Sequence, residues 1–475
     1  MAVIKGKRPH VLVVPYPAQG HVKPLMKLSR QIARHGIKVT FVNIECIHEK
    51  IVAAAKMSGS EEEDDQEDGN IVLTSVPDGR GPDDDQNDTF KLLESLRNTM
   101  PGFLTSLIEN INSSNSDERV SCVIADVTIG WLLETAQQMR AEPVLFSPPS
   151  ASALAIIPHI PRLLEEGNLD SIGTIKKDDI IRLSENIPPW RKNELTWSFP
   201  ADLETQKIFF ECSLRIEKAL PQAKWLLSNT CYDLEPSACD LIPGLLPVGP
   251  LLETNNLKSL SNSCNFHPED ASCLSWLHDK PPGSVVYVSF GSLAVLSQQQ
   301  LDELALGLEL SGRAFLWVVR SDLANGSRAV YPDGFLRVGK LGKIVEWAPQ
   351  EMVLSHRSIA CFLSHCGWNS TLEGLSNGVP FLSWPYFADQ HHNQNYICDK
   401  WEIGVRIDPE ENGIRTRHEI KTKIEMVFSD ARFKENAMKM KEICWKSVGE
   451  GALLTRILRH LLIISANEHD CGCCL

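Results

Sequence analysis

The segment 347–390 constrains the fold of this 475-residue chain more than any other. Two apolar runs within it, 359–363 and 379–384, predict buried strands. Between them, residues 365–370 (H-C-G-W-N-S) predict a turn that enters a helix. This order of elements is typical of an α/β unit with a parallel sheet. Polar residues therefore collect at strand ends and at a helix N-terminus, which suits an anionic ligand such as phosphate.

The same alternation of strand and helix occurs twice in the chain. In the first half, 10–14, 38–44 and 120–125 predict strands, and a helix is predicted over 22–35. After a polar Pro- and Asn-containing stretch, the pattern restarts with a strand at 285–290. We therefore expect an α/β chain with two parallel-sheet domains that face each other across a cleft. The predicted ranges are 1–250 and 269–450 for the domains, 251–268 for the linker, and 451–475 for a terminal helix and a Cys-rich tail.

Charge and composition exclude several classes of protein. The net charge of −14 argues against nucleic acid or an anionic membrane as the main partner. No apolar stretch is long enough to span a bilayer, and residues 1–9 lack the apolar core of a signal peptide. The 14 cysteines form no paired C-x-x-C modules. These features predict a cytoplasmic protein with free, mostly buried thiols.

Two acidic or histidine-rich patterns could suggest a metal site. Asp83, Asp84 and Asp85 resemble a D-x-D motif, but they lie in a predicted loop rather than at a strand end. His391 and His392 are adjacent, and no Cys or His partner lies at the spacing of a zinc site. We therefore predict no metal.

The segment 347–390, which we call the donor box, resembles the signature of plant UDP-sugar-dependent glycosyltransferases of family 1. The match runs from W-A-P-Q through H-C-G-W-N-S and a Glu to D-Q, and the early loop P-Y-P-A-Q-G-H-V-K-P-L is similar to the same family. The resemblance implies the GT-B fold, with two Rossmann-like domains. It also implies a UDP-sugar as donor substrate with no further cofactor, bound by the second domain, and an acceptor bound by the first.

The resemblance implies roles for the start of the donor box. Trp347 would stack on the uracil, because aromatic faces pair in offset stacks. The backbone of Ala348 and Gln350 would meet the edge of the base. Glu373 would hold the ribose hydroxyls. As an alternative, Ser370 and Glu373 have the S-x-x-E spacing of a helix capping box, a purely structural device.

The remaining donor residues are assigned to the diphosphate and the sugar. His365 would donate to the diphosphate, together with Asn369, Ser370 and, from an earlier turn, Ser292. Trp368, Asp389 and Gln390 would contact the sugar. A Gln at position 390 favours glucose in this family.

A general base is expected in the first half of the chain. His21 follows the first strand on a predicted loop, and Asp126 ends another strand of the same sheet. Histidine is suited to proton transfer near neutral pH, and a carboxylate on its far nitrogen fixes the tautomer. The family pairs His and Asp at these positions, which implies an inverting transfer without metal. By itself His21 could equally be a structural histidine.

The resemblance implies a hexosyltransferase. We expect a monomer that transfers glucose to a hydroxyl or carboxyl of a small lipophilic plant metabolite, such as a flavonoid, a phenylpropanoid or a hormone, with no nucleic-acid or integral-membrane partner. A catalytically inactive sugar-nucleotide binder and a retaining GT-B enzyme are the alternatives. Four aromatic residues hint at an acceptor pocket or at core packing: Trp190, Trp197, Phe209 and Phe210. Where relatives carry a sugar-contacting Thr, this chain has Ser147 and Pro148.

Overall fold

The computed structural model describes residues 9–57, 70–81, 84–85, 88–114, 118–199, 201–252, 265–321, 323, 330–332, 335 and 341–448. Most of the predicted linker, all of the predicted terminal helix and tail, and Asp83 lie outside these residues. The neighbouring Asp84 accepts a hydrogen bond from the backbone N–H of Gly81, so its carboxylate closes a local turn.

The first part of the chain alternates strands and helices: β1 His10–Val14, α1 Gln19–Arg34, β2 Lys38–Ile44, α2 Glu45–Met57, β3 Ile71–Val76, α3 Thr89–Ser114, β4 Val120–Asp126, α4 Leu132–Gln138, β5 Glu142–Ser147, α5 Ala151–Ala155, α6 Ile160–Glu165, β6 Ile180–Ile181, β7 Trp190–Arg191, α7 Leu203–Ala219, β8 Trp225–Ser228, α8 Pro236–Asp240 and β9 Leu245–Pro247.

The second part repeats the alternation: α9 Ser272–His278, β10 Val285–Ser289, α10 Gln298–Leu310, β11 Ala314–Val318, β12 Gly342–Val345, α11 Gln350–Ser355, β13 Ile359–Ser364, α12 Trp368–Asn377, β14 Phe381–Ser383, α13 Gln390–Asn395, β15 Gly404–Arg406, α14 Arg417–Ser429 and α15 Ala431–Val448.

The described residues group into two compact units. One contains those within Met1–Gly173, Ala201–His267 and Ser447–Leu475, and the other contains those within Thr174–Pro200 and Pro268–Lys446. Residues 174–200, which the sequence analysis placed with the first domain, are thus grouped with the second unit.

The first unit is built on a seven-stranded parallel sheet in the order β3-β2-β1-β4-β5-β8-β9. Its inner strands are buried on both faces, as the continuous apolar run of β1 requires. The chain order reverses between β1 and β4, where Val14 lies opposite Ala125. In open parallel sheets, ligands bind outside the carboxyl ends of the strands at such a reversal.

The second unit repeats this design with six parallel strands in the order β12-β11-β10-β13-β14-β15. Its order reverses between β10 and β13, where Ser289 lies opposite Ser364. Apolar side chains of β10, β11 and β13, with those of α10 and α14, form its core. The predicted α/β class with two parallel sheets is therefore confirmed.

One local difference from the sequence predictions concerns the start of α1. The punctuation by Pro15, Pro17 and Gly20 predicted a loop up to position 21, but the helix already begins at Gln19. The backbone N–H groups of His21 and Val22 bond to the carbonyl of Ala18, which closes the first turn. His21 is therefore a helical residue, held in a fixed direction by the helix backbone.

Two further properties concern the surface and the thiols. Among the described residues, no helix combines the length and the apolar character that crossing a bilayer requires. The ten described cysteines are all unbridged, and seven of them are buried. The predicted free thiols are confirmed for this part of the chain.

Candidate active site

In the first unit, the structure brings His21 and Asp126 together. Nδ1 of His21 lies 2.7 Å from Oδ2 of Asp126. The Asp126 side chain is fully buried, whereas 25% of the His21 side chain is exposed. The other carboxylate oxygen, Oδ1, accepts a hydrogen bond from the backbone N–H of Thr128 at 2.9 Å. The carboxylate of Asp126 is thus held in place by Thr128, and it orients a partly exposed imidazole.

Tyr16 holds the His21 ring from the side. The two ring centroids are 5.2 Å apart, with an edge-on angle of 68°. Burial raises the pKa of the Tyr16 phenol above its usual range, and the nearby Cys212 and Asp126 add to the rise. The phenol therefore stays neutral, and its ring limits the rotation of the imidazole.

In the second unit, the polar residues of β10 and β13 meet at the reversal of strand order. Gly291 and Ser292 follow β10, and His365 follows β13. Gly291 has a φ of +70°, and a Cβ atom there would lie 2.7 Å from two atoms of the His365 ring. The turn after β10 therefore passes against the imidazole, and only glycine fits.

Burial keeps the His365 ring neutral. Burial, together with the positive charge of Arg320, lowers the pKa of His365 to about 4. Arg320 is itself buried and donates hydrogen bonds to the carbonyl oxygens of Gly291 and Ala294. At neutral pH, His365 can therefore offer an N–H donor beside the N-terminus of α12.

A substitution at Gly367 tests whether His365 serves an anion. The backbone of Gly367 (φ −61°) accepts alanine, but a Cβ atom would overlap Nε2 of His365. We expect Gly367→Ala to displace the ring and to raise the Kd for UDP by about tenfold, since a hydrogen bond to a charged group contributes about 1.5–3 kcal/mol.

Isothermal titration with UDP measures this effect. Gly102→Ala is the matched control, because a Cβ atom at Gly102 in α3 meets nothing within 4 Å. Equal Kd values for Gly367→Ala and the control would show that His365 does not contact the diphosphate.

The loop that carries Trp347 is fixed next to β12. The Trp347 carbonyl accepts a hydrogen bond from the backbone of Asp270 at 2.9 Å. The Trp347 side chain is partly exposed, whereas Ala348 is buried. A partly exposed indole is compatible with stacking on a base.

Gln350 and Glu373 form a hydrogen-bonded chain with Tyr287. The Tyr287 hydroxyl donates to Oε1 of Gln350 at 3.1 Å. Nε2 of Gln350 donates to Oε2 of Glu373 at 2.7 Å and to Oγ of Ser370 at 2.9 Å. The amide orientation of Gln350 is thereby set, and its side chain positions the carboxylate of Glu373.

The alternative of a capping box at Ser370 and Glu373 is wrong. The helix α12 begins at Trp368 with Gly367 as its N-cap, so Ser370 is already the third helical residue. A capping box needs the Ser at the N-cap itself.

Trp368, Asn369 and Ser370 form the first turn of α12. The indole of Trp368 is buried, and its ring centroid lies 6.4 Å from that of Trp401. Trp368 can therefore reach a ligand mainly through its backbone. Asn369 is partly exposed, and Ser370 is largely buried beside Gln350.

Asp389 and Gln390 lie at the start of α13 with complementary polar groups. Oε1 of Gln390 accepts hydrogen bonds from the backbone of Tyr386 at 2.8 Å and of Phe387 at 3.1 Å. No described residue accepts from its Nε2, so the amide NH₂ remains a donor. Asp389 is an acceptor, held by Nδ2 of Asn393 at 2.8 Å. A donor and an acceptor side by side suit two neighbouring hydroxyl groups.

The residues that hold these groups in place were not predicted from the sequence: Tyr16, Tyr287, Arg320 and Asn393. Tyr287 and Arg320 act through partners 63 and 29 residues away, which no local pattern reveals. Tyr16 and Asn393 lie within five residues of His21 and Asp389, but no motif marks these contacts. Within the described ranges, no group of three or more His, Cys, Asp or Glu side chains is placed to hold a metal ion.

Comparison with known proteins identifies the family. The family model "UDP-glucoronosyl and UDP-glucosyl transferase" matches residues 238–446, and the model "Glycosyltransferase, N-terminal domain" matches residues 9–172. UDP-glycosyltransferase 83A1 of Arabidopsis thaliana is 41% identical over 94% of this chain and 94% of its own length. (R)-mandelonitrile beta-glucosyltransferase of Prunus dulcis is 35% identical over 86% of this chain and 87% of its own length.

A solved structure agrees with this relationship. UGT2 of Phytolacca americana, in complex with UDP-2fluoro-glucose and pterostilbene, superposes with a TM-score of 0.77 at 26% identity. The match covers 96% of this chain and 100% of that chain. Together with the two parallel sheets, these matches show that this chain is a UDP-glycosyltransferase of family 1 with the GT-B fold.

Proposed function

We propose that this enzyme transfers glucose from UDP-glucose to a hydroxyl or carboxyl group of a small lipophilic metabolite, with inversion to a β-glucoside. The names of the relatives support glucose as the sugar, since one is a beta-glucosyltransferase and UGT2 binds UDP-2fluoro-glucose. The amide donor of Gln390 and the carboxylate of Asp389 supply a complementary pair for sugar hydroxyls. We further propose that the enzyme acts as a monomer.

The observation that carries this proposal is the His21–Asp126 pair, at 2.7 Å. Nε2 of His21 takes the proton from the acceptor hydroxyl, and Asp126 stabilises the imidazolium that forms. The acceptor oxygen then forms a bond to the anomeric carbon of glucose. The bond from that carbon to the β-phosphate oxygen breaks, and its electron pair leaves with UDP. A single displacement of this kind inverts the configuration.

The departing UDP gains negative charge, and we propose that hydrogen-bond donors of the second unit stabilise it. The proposed donors are His365, Ser292, Asn369 and the backbone N–H groups that begin α12. Fixed donors of this kind stabilise developing charge without reorganisation. We therefore propose that no metal and no additional cofactor take part.

The acceptor is proposed to bind at the first unit. Of the aromatic candidates, Trp190, Trp197 and Phe210 are fully buried, which supports core packing for them. Phe209 is partly exposed and packs edge-on against Phe90, with centroids 5.5 Å apart. This pair offers an apolar surface for an aromatic acceptor, in keeping with the pterostilbene bound by UGT2.

The test is UDP release from UDP-glucose with a panel of phenols, cyanohydrins, terpenoid alcohols and carboxylic acids, with the products identified by mass spectrometry. We expect UDP release that depends on the acceptor and one hexose added per product. Binding of UDP-glucose without UDP release for any acceptor would contradict transferase activity and favour a sugar-nucleotide binder.

The chain from Tyr287 to Glu373 gives a prediction about the ribose. Tyr287→Phe removes the hydroxyl that fixes Gln350 but keeps the ring, which stacks on Phe362 at 5.0 Å. If Glu373 binds the ribose, a ligand that lacks the ribose 2′-hydroxyl should bind the unaltered enzyme with a Kd about tenfold higher than that of UDP-glucose. In Tyr287→Phe this difference should shrink to about threefold, because the carboxylate is less well fixed.

Titrations with UDP-glucose and its 2′-deoxyuridine analogue measure the two Kd values in each protein. Tyr232→Phe is the control. Tyr232 is exposed, its hydroxyl bonds to Asp240, and both residues belong to the first unit rather than to the unit that carries Glu373. An unchanged ratio of the two Kd values in Tyr287→Phe would sink the ribose assignment of Glu373.

A further inference from the structure

Residues 174–199 come from the first half of the chain but pack within the second unit. Strands β6 and β7 pair antiparallel, with Ile181 opposite Trp190. Ile181, Ile187, Trp190, Leu195 and Trp197 of this segment are buried. The segment therefore has an apolar side of its own and presents Trp190 from a short paired strand.

Trp190 lies flat on a histidine of α13. Its ring centroid is 4.4 Å from that of His392, and the two planes differ by 3°. Both side chains are fully buried. Such a face-to-face contact fixes the distance and the tilt between the segment 174–199 and α13 more narrowly than aliphatic packing does.

The polar atoms of this stack make no hydrogen bonds within the described part of the chain. They are Nδ1 and Nε2 of His392 and Nε1 of Trp190. Burial lowers the pKa of His392 to about 3, so the imidazole is neutral at neutral pH. His392 therefore contributes a flat neutral ring to the packing.

A second contact ties the segment to the other end of α13. Oε2 of Glu194 accepts a hydrogen bond from Nδ2 of Asn395 at 2.9 Å. Oδ1 of Asn395 in turn accepts from Arg406 at 2.8 Å. Phe199 adds an aromatic contact to Phe387, with centroids 6.4 Å apart. The segment thus contacts the turn before α13, its middle and its last residue.

The same short helix begins with the two residues assigned to the donor sugar. Gln390 is the first residue of α13 and Asp389 is its N-cap. The backbone of the preceding turn orients Gln390, and Asn393 within α13 orients Asp389. The position of the helix as a whole depends on the residues that pack against it. Trp190 is the residue that packs against His392.

We propose that residues 174–199 form part of the donor-sugar site, in which Trp190 and Glu194 are positioning residues that set how Asp389 and Gln390 meet the sugar. This inference rests on the proposed function, because it takes Asp389 and Gln390 as sugar contacts. It adds that a segment preceding the second sheet by about 100 residues in the chain determines the affinity and the selectivity for the sugar.

The experiment compares the Kd of UDP-glucose with the Kd of UDP, both by isothermal titration, in Glu194→Ala, Trp190→Leu and Trp190→Phe. We expect Glu194→Ala and Trp190→Leu to weaken UDP-glucose by about five- to tenfold while UDP changes by less than about twofold. Trp190→Phe keeps an aromatic face and should restore most of the affinity for UDP-glucose. In Glu194→Ala and Trp190→Leu, the ratio of the Kd of UDP-galactose to the Kd of UDP-glucose should fall as well.

Glu185→Ala is the matched control, an exposed carboxylate in the same segment. Equal losses for UDP and UDP-glucose, or no loss for either, would overturn the proposal. Glu194 is partly exposed, so Glu194→Ala gives an answer even if Trp190→Leu fails to fold. Both ligands are measured by binding, so a failure of the sugar-transfer function itself, seen as absent UDP release in the unaltered enzyme, remains distinguishable.

Discussion

His21→Ala is expected to lower kcat for glucosyl transfer by about 10²–10⁴-fold, the range that positioned general bases contribute. The alanine leaves the acceptor hydroxyl without a proton acceptor, and an alcohol is a weak nucleophile at neutral pH. The Kd of UDP-glucose should change by less than about twofold, because the proposed donor contacts belong to the other unit. Steady-state kinetics and titration with UDP-glucose measure the two effects separately.

His35→Ala is the control for this substitution. His35 is an exposed residue just beyond α1, and it bonds to the carbonyl of Gln31. The variant His35→Ala should transfer glucose at the rate of the unaltered enzyme. Near-normal turnover of His21→Ala would exclude His21 as the base and would leave Asp126 without a catalytic partner.

Asp126→Asn is expected to lower kcat by about 10³–10⁴-fold, as the loss of a tautomer-fixing carboxylate does in other His–Asp systems. The amide can still accept from Thr128 through Oδ1, so the local turn is kept. Its NH₂ group would then face Nδ1 of His21. The imidazole must turn that nitrogen into an acceptor, which puts the proton on Nε2 and prevents Nε2 from taking another.

Asp202→Asn is the matched control for Asp126→Asn. Like Asp126, Asp202 accepts a hydrogen bond from a backbone N–H group, here that of Thr205 in the first turn of α7, but Asp202 is exposed. His21 and Asp126 act together in one catalytic pair. The kcat of the double variant His21→Ala with Asp126→Asn should therefore lie within about twofold of the kcat of His21→Ala. Additive losses would show that Asp126 acts independently of the imidazole.

The strand predictions succeeded where a short apolar run is buried on both faces. Strands β1 and β2 have the predicted bounds, because both are short runs dominated by apolar residues and are buried along nearly their whole length, which is typical of a central parallel strand. Strand β3 was missed, since Val72 and Leu73 are exposed at the sheet edge and its pattern is irregular. The start of α1 was missed because prolines and a glycine surround its first turn.

The donor box was identifiable because its residues are close together in the sequence and its order is specific. The structure places His365 and Ser292 at one strand reversal, and His21 and Asp126 at another. What the sequence could not show are the contacts across long separations. Tyr287 with Gln350, Arg320 with Gly291, and Trp190 with His392 each join residues that no local pattern connects.

The grouping of residues 174–199 with the second unit has the same origin. The place of this segment depends on a ring stack and a hydrogen bond to α13, and the hydrogen-bonded residues Glu194 and Asn395 are 201 positions apart. From the sequence alone, such a segment is assigned to the same domain as its neighbours in the chain. In the structure its apolar side chains pack within the second unit.

The configuration of the product tests the central claim most directly. UDP-glucose carries an α linkage, and a single displacement with His21 as base must give a β-glucoside. Proton NMR of the product isolated from the best acceptor should show the anomeric coupling of the β form, and His21→Ala should yield at least about 100-fold less of it in the same time. An α-glucoside would contradict the single displacement and would favour a retaining mechanism.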